Sequence, residues 1–335
     1  MRQNRRGFLR LLAAGGTSGL AGIAAKPAHA EPPPETTHIR LGKIRSVCLA
    51  PQYVAEELLR AEGFTDIAYV EAGVGGLPAA QALGAGEFDI MMNFAAPEVL
   101  ALDAGIPISL LAGIHAGCFE LFATQRIRTI SDLKGKTAAV LGLNSAQHIF
   151  LASIATSVGL DPQRDINWVT YPPAEAKRLL AEGKIDAFLG FPPDPQELRA
   201  NKVGHVLLNS ALDRPWSQYF CCIVAANREF AQKSPIATKR ALRAIIKGSE
   251  LCASDPQRGA AAFLKQGYPI DPDHARQALS EIPYGHWRDY NPEETVRFYA
   301  LRLREAGMVK SAPQKLIAQG TDWRFLDQLK REMKT

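Results

Sequence analysis

The strongest constraint in this sequence is a frame that it uses twice. Residues 83–93 read Leu-Gly-Ala-Gly-Glu-Phe-Asp-Ile-Met-Met-Asn, and residues 180–193 read Leu-Ala-Glu-Gly-Lys-Ile-Asp-Ala-Phe-Leu-Gly-Phe-Pro-Pro, ninety-seven positions further on. Both copies carry Leu, two spacers, Gly, one charged residue, Phe or Ile, then Asp, before an apolar run that ends at a loop. Physically this is a helix end, a glycine stop and a short buried strand. Used twice amid alternating helical and strand patterns, it predicts two similar α/β lobes with a cleft between them. Ligands of open α/β sheets sit beyond the carboxyl ends of the strands. Asn93 and Phe94 from one lobe, and Phe191 with the two prolines after it from the other, are therefore expected at the cleft.

The amino terminus reads as an address rather than as fold. Arg5 and Arg6 precede Phe8, Leu9 and Arg10 in a twin-arginine pattern, followed by a weakly apolar, glycine-bearing run and the small-residue site Ala28, His29, Ala30. Export by the twin-arginine machinery, cleavage after Ala30 and a periplasmic location follow as expectations. No cysteine stands near that site to take a lipid anchor. Residues 1–30 hold five basic residues (Arg2, Arg5, Arg6, Arg10 and Lys26) and no acid, so without them the formal charge of +5 falls to zero. A neutral mature chain gives no reason to expect a nucleic-acid partner or an anionic membrane surface. A hydrophobic content of 47% supports substantial cores.

Residues 31–37, with three consecutive prolines, read as an extended tether. Strands are expected at 38–43, 67–70, 88–93 and 108–114, with helices at 52–62, 77–85 and 97–104 between them. A second series follows, with strands at 137–141, 166–169, 185–190 and 204–208 and helices at 146–158, 174–182 and 196–201. Runs at 119–123 and 219–225 read as two crossing strands that make a hinge. Lobe 1 is thus assigned 38–123 plus 222–335 and lobe 2 is assigned 124–221. Beyond Asn227 the pattern is helical, with Pro235, Pro256, Pro272 and Pro292 each at a first helical position. These helices are expected to buttress lobe 1.

The chemical motifs are sparse. Gly135-Lys136-Thr137 lacks the earlier glycine of a phosphate loop, and Gly73-Val74-Gly75-Gly76 is followed by Pro78 where a dinucleotide fingerprint needs its third glycine. The cysteines (Cys48, Cys118, Cys221, Cys222 and Cys252) are odd in number and irregularly spaced, which is no disulfide framework. Cys221 and Cys222 are expected as thiols on opposite faces of a strand. His115 and Cys118 stand three apart but have no third metal ligand nearby in sequence, so neither metal nor cofactor is expected. Ser145 lacks the turn of a nucleophilic serine; Asn144 or Ser145 instead caps the helix that begins at Ala146 and Gln147. Phe94, Phe191 and Trp216 fall near strand ends, where they either cover the sheet or enclose an apolar ligand. Arg45 and Arg214 are the nearest cations for a ligand carboxylate or sulfonate.

The segments 50–56 (Ala-Pro-Gln-Tyr-Val-Ala-Glu), 86–89 (Gly-Glu-Phe-Asp), 112–118 (Ala-Gly-Ile-His-Ala-Gly-Cys), 132–136 (Asp-Leu-Lys-Gly-Lys) and 183–187 (Gly-Lys-Ile-Asp-Ala) carry a family resemblance. From about His38 onward the chain resembles substrate-binding proteins of ABC importers of the nitrate/sulfonate/taurine type, which are related to thiamine-pyrimidine synthesis proteins. The resemblance implies a two-lobe periplasmic binding protein fold of type II. It also implies a non-enzymatic monomer that closes on a small anion and delivers it to an ABC permease and its ATPase. Amides at Cys48, Leu49, Ala50 and Gln52, at Gly75, and at Asn144, Ser145 and Gln147 are expected to hold the anionic head. Asn93, Phe94, His115, Phe191 and Trp216 are expected to shape the rest of the site. The competing functions are a pyridoxal-phosphate enzyme of pyrimidine-precursor synthesis on the same scaffold, and a sensor that presents ligand to a receptor.

Overall fold

The computed structural model describes residues 31–333 apart from Val74. The twin-arginine pattern and the cleavage site lie outside these residues. From Pro33 onward the chain forms one unit built on two five-stranded sheets. The first contains β1 (His38–Lys43), β2 (Asp66–Glu71), β3 (Ile90–Phe94), β4 (Ile108–Ala116) and β10 (Phe220–Asn227), in the order β2-β1-β3-β10-β4. The second contains β5 (Glu120–Ala123), β6 (Lys136–Val140), β7 (Ile166–Thr170), β8 (Ala187–Gly190) and β9 (His205–Asn209), in the order β7-β6-β8-β5-β9. The expected two-lobe α/β architecture is thus present, and the sheets have the same topology. Four strands point the same way in each, and the strand arriving from the other lobe, β10 or β5, lies antiparallel between its neighbours.

This exchange moves the lobe boundaries. Residues 120–123, assigned to lobe 1 from sequence, pair entirely in the second sheet, and Phe220 already pairs with Ala116 in the first. A run of apolar residues looks the same whichever sheet it joins. The crossings are therefore 117–119 and 210–219, and Ser210 ties them together: its Oγ accepts from the amides of Cys118 (3.1 Å) and Phe119 (2.9 Å), and its own amide donates to Phe119 O (2.9 Å). Gly117, at φ +48°, lets the crossings touch, since a Cβ there would lie 2.2 Å from Ala211 Cα.

The repeated frame explains why the sheets match. In the first lobe the Arg40 amide donates to the Asp89 carboxylate (2.8 Å), the Asp89 amide donates to Arg40 O (2.9 Å), and the Asn227 amide donates to Asp89 O (2.9 Å). In the second lobe the Thr137 amide donates to the Asp186 carboxylate (3.0 Å), the Asp186 amide to Thr137 O (2.9 Å), and the Thr124 amide to Asp186 O (3.0 Å). Each aspartate fastens three chain segments and is itself paired with an arginine, Arg40 at 2.6 Å or Arg126 at 2.8 Å.

Helices cover both sheets. They are α1 (Ala50–Val54), α2 (Glu56–Ala61), α3 (Leu77–Gly84), α4 (Ala95–Asp103), α5 (Ala146–Ser157), α6 (Pro173–Ala181) and α7 (Asp194–Ala200). The carboxyl-terminal series is α8 (Arg228–Lys233), α9 (Pro235–Ser254), α10 (Pro256–Leu264), α11 (Pro272–Glu281), α12 (Pro292–Glu305), α13 (Pro313–Gly320) and α14 (Arg324–Glu332). None of the described helices is long and apolar enough to cross a membrane. The terminal series does more than support the first lobe, because α12 packs on both α4 and α5. On α11, Glu281 accepts from Gln196 Nε2 (2.9 Å) and Arg199 (2.5 Å) of the second lobe. The extended segment before β1 is docked rather than free: Glu35 accepts from the amides of Ile236 (2.9 Å) and Ala237 (2.8 Å), supplying a carboxylate to the start of α9.

Replacing Asp89 or Asp186 by Ala strands a strand-opening amide and an arginine together. Each substitution is expected to lower stability by about 2–4 kcal/mol, with Asn costing less because it keeps an acceptor. Urea unfolding midpoints check the order.

Candidate functional site

The carboxyl ends of β1, β3 and β4 face those of β6 and β8 in a closed arrangement. The Val47 amide donates to Pro192 O (3.3 Å), and the Leu77 amide to Asn144 O (3.2 Å). Gly76 makes the second contact possible: at φ 72° and ψ −148° it holds a conformation open in practice to glycine, and a Cβ there would stand 2.7 Å from Ala146 N. Phe94 and Phe191 meet across the gap with ring centroids 5.5 Å apart, and Phe119 touches both at 4.9 and 6.0 Å. Trp216 is one step removed. It packs on Phe150 and Phe298, and Phe150 in turn touches Phe119.

A cavity of about 250 Å³ remains between the lobes, lined by Ile44, Arg45 and Gly73 on one side and by Leu141, Pro173, Phe191, Pro193 and Asp194 on the other. Arg45 is exposed and makes no hydrogen bond or ion pair among the described residues. Asp194 is buried and neutralised by Lys177 at 2.9 Å. Arg214, the other cation expected near the ligand, stands exposed on the 210–219 crossing and does not line this cavity.

Several residues expected to touch ligand are committed elsewhere. Gln52 donates to Gly42 O (3.0 Å) and accepts from Met92 N (3.0 Å), bridging β1 and β3 where their ladder consists of the single pair Leu41 and Ile90. Asn93 accepts from Gly76 N (3.3 Å) and donates to Gly76 O (3.2 Å) and to Glu98 Oε1 (2.5 Å), so it holds the glycine loop in place. The amides of Leu49 and Ala50 close 3₁₀ turns, and α1 is only five residues long with Pro51 near its start, so little of an anion-binding helix end is left there. Gly75, at φ +73°, packs beside Ile44.

The start of α5 agrees better with expectation. Ser145 is its N-cap, accepting from His148 N at 3.3 Å. Asn144 adopts φ +64°, and its amide donates to His148 Nδ1 (3.1 Å). Burial lowers the pKa of His148, which suits a ring nitrogen that accepts. Gln147 is buried, and its Oε1 has no partner among the described residues.

Two groups had no signal in the sequence. Glu98, in the first turn of α4, is wholly buried, and burial pushes its carboxyl up to about 8 although Asn93 bonding opposes this. A buried acid inside an apolar helix start reads from sequence as an ordinary first-turn carboxylate. The second group is a set of thiols. Cys48 Sγ lies 3.0 Å from Ser46 Oγ and 4.0 Å from Cys222 Sγ, while Cys118 and Cys221 sulfurs are 3.1 Å apart. Cys221 and Cys222 are free thiols, but they do not point to opposite faces as expected: the β10 register shifts at Cys222, and the two sulfurs lie within 4.8 Å of each other and of Cys118. His115, expected to shape a ligand pocket, stands with Cys48 and Cys222. Burial pushes the Cys48 thiol up, but the neighbouring Cys118, Cys222 and His115 side chains outweigh it and hold the thiol well below its ordinary range. Burial lowers His115, and the adjoining Cys48 sulfur more than reverses that.

Fold and cleft together define a periplasmic binding protein architecture. A family model for the NMT1-like family matches residues 32–264, and the chain belongs to that family. It is 26% identical over 180 residues to the nitrate import ATP-binding protein NrtC of Synechocystis, covering 51% of this chain and 26% of that one. The chain thus spans about a quarter of the length of the curated relatives it matches. The alkanesulfonate-binding protein SsuA from Xanthomonas axonopodis pv. citri, bound to MOPS, has the same fold with a TM-score of 0.66 and 19% identity, covering 88% of this chain and 99% of that one. The periplasmic nitrate-binding protein NrtA of Synechocystis gives a TM-score of 0.75 and 14% identity, covering 90% of each chain.

Glu98 sets a pH dependence. Its folded pKa stands above the ordinary 4.5, so between about 4.5 and 8 the folded chain retains a proton that the unfolded chain releases. Stability should therefore be greatest below 4.5 as far as this group is concerned, and should fall by about 1.4 kcal/mol per pH unit as pH rises toward 8. Glu98→Gln is expected to remove that slope and to be the more stable form at pH 8. Unfolding midpoints measured across this range for both proteins check it.

Proposed function

We propose that this chain is the extracytoplasmic solute-binding component of an ABC import system. It takes a small organic anion between its lobes by hinge closure and passes it to a membrane permease worked by an ATPase. The observation that carries this reading is the cavity lined from both lobes, with the unpaired Arg45 on one wall. A ligand favours the closed form only by bonding to both lobes at once, and this cavity offers it both walls. The chain works as a monomer in this reading, in the periplasm, after export by the twin-arginine machinery and cleavage after Ala30.

The lining favours an organic body over a bare inorganic ion. Ile44, Leu141, Pro173, Phe191 and Pro193 present apolar surface that nitrate would leave unused. Arg45 is suited to the charged head, with the Ser145-capped start of α5 and the free Oε1 of Gln147 nearby in sequence to the Asn144 contact. The alkanesulfonate-binding and nitrate-binding proteins that share the fold support an anion as the class. A pyridoxal-phosphate enzyme is less well supported, because no lysine is among the residues lining the cavity and Lys177 beside it is paired with Asp194 and Glu197.

A thermal-shift screen of alkanesulfonates, carboxylates, pyrimidines and nitrate tests the reading, since a ligand bound only by the folded state raises Tm. A sulfonate or another organic anion is expected to raise it. Arg45→Ala should then weaken calorimetric affinity by about tenfold or more, the worth of a charge-assisted contact. Gly76→Ala should weaken it too, by obstructing closure. A shift with no anion, or affinity unchanged in Arg45→Ala, would sink the proposal.

A further inference from the structure

The thiol cluster sits behind the cleft, where the ends of β1, β4 and β10 converge. Cys48 comes from the turn after β1, His115 from the end of β4 and Cys222 from the start of β10. Their donor atoms lie within 4.8 Å of one another, and all three residues are fully buried. A second group, Cys118, Cys221 and Cys222, meets the same distance limit and shares Cys222 with the first.

Packing alone does not account for this arrangement. His115 Nδ1 lies 3.1 Å from Ala116 O, which fixes the ring when that nitrogen carries the proton. Its Nε2 is then a lone pair, buried and without a partner among the described residues. Metal-bound histidines are commonly fixed in this way, one nitrogen donating to a carbonyl while the other binds. Ser46 Oγ, 3.0 Å from Cys48 Sγ, is placed to donate to a thiolate. The 4.0 Å between the Cys48 and Cys222 sulfurs is close to the ~3.8 Å separating two thiolates on one tetrahedral zinc with bonds of about 2.3 Å.

We propose that Cys48, His115 and Cys222 form a binding site for a thiophilic cation, Zn(II) or Cu(I), with Cys118 and Cys221 as adjoining sulfurs. Two thiolates with a neutral imidazole cancel the charge of Zn(II), which suits a buried site, and one thiolate with one thiol does the same for Cu(I). The soft donors exclude Mg(II) and Ca(II), which take oxygen. All three ligands belong to the first lobe, so the site is complete whether the lobes are apart or together, and it does not depend on which anion the cleft accepts. The Val47 contact with Pro192 covers the turn that carries Cys48, so ions enter when the lobes part.

The test uses the full chain, reduced and freed of metal, titrated anaerobically with Zn(II) or Cu(I) against a chromophoric chelator. One equivalent of either ion is expected to bind, and Co(II) in its place should give thiolate-to-metal charge-transfer bands. Cys48→Ser, Cys222→Ser and His115→Gln should each lower affinity by more than about tenfold, the least that altering even an outer partner usually costs. Cys252→Ser, outside the cluster, should bind as the parent does. Circular dichroism establishes that each variant is folded, and any that is not is replaced by Ser46→Ala, expected to weaken binding about tenfold. Failure of both ions to bind at one equivalent would overturn the site, as would affinity unchanged in the folded cluster variants or a Co(II) spectrum without thiolate bands. Anion binding is measured separately on the metal-free chain, so either proposal can fail alone.

Discussion

Both lobes depend on one local device, an aspartate that begins a buried strand and satisfies the backbone of two others. Asp89 and Asp186 each exchange bonds with the neighbouring parallel strand through carboxylate and amide, and each accepts on its carbonyl from the strand that crosses over from the other lobe. A buried backbone amide without a partner is costly, and the strands here are short, so a single residue that answers for three segments sets register for the whole sheet. The arginine beside each carboxylate compensates its charge without removing it to the interior, since Arg40 and Arg126 keep part of their side chains in solvent. The junctions hold the ends of β10 and β5 that lie away from the crossings at 210–219 and 117–119, so they fix the sheets and leave the crossings to their own contacts through Ser210.

The junctions aim the strands, and the far ends of those strands form the cleft. There the polar side chains divide by use. Gln52 and Asn93 serve the backbone of their own lobe, while Arg45 and the Oε1 of Gln147 have no partners among the described residues. A side chain whose bonds are filled by its own lobe gives a ligand little to gain, so in the proposed function recognition of the charged head would fall to Arg45 on the cavity wall. The contact of Phe94 with Phe191 has a related consequence. With the rings touching, the open space lies to one side, against Ile44 and Leu141, rather than between them.

Much of this is legible in the sequence, and for a physical reason. Glycine stops, apolar runs and an aspartate in fixed register are local signals, and each corresponds to a local structure: the strands, the capped start of α5 and the meeting of Phe94 with Phe191. Membership of a strand in one sheet or the other is not local, which is why residues 120–123 read as part of the wrong lobe. Side-chain commitment is not local either. Gln52 looks the same in sequence whether it bridges strands or binds a ligand. The thiols show the limit most clearly. His115 and Cys118 lack a third metal ligand nearby in sequence, yet Cys48 and Cys222 reach His115 from positions 67 and 107 residues away along the chain.

The same exchange of strands that hides the cluster from the sequence also creates it. β10 returns from the second lobe to lie between β3 and β4, and its first residues pass the end of β4 just where the chain departs for the second lobe. Cys118 stands on the outgoing crossing and Cys221 and Cys222 on the returning strand, so their closeness follows from the topology. A cation bound by Cys48, His115 and Cys222 would join the turn after β1 to β4 and β10, all in the first lobe, and would leave the crossings at 117–119 and 210–219 free to bend. Rigidity would be added to the lobe that carries Arg45, while the rotation that closes the cleft would be left to the hinge.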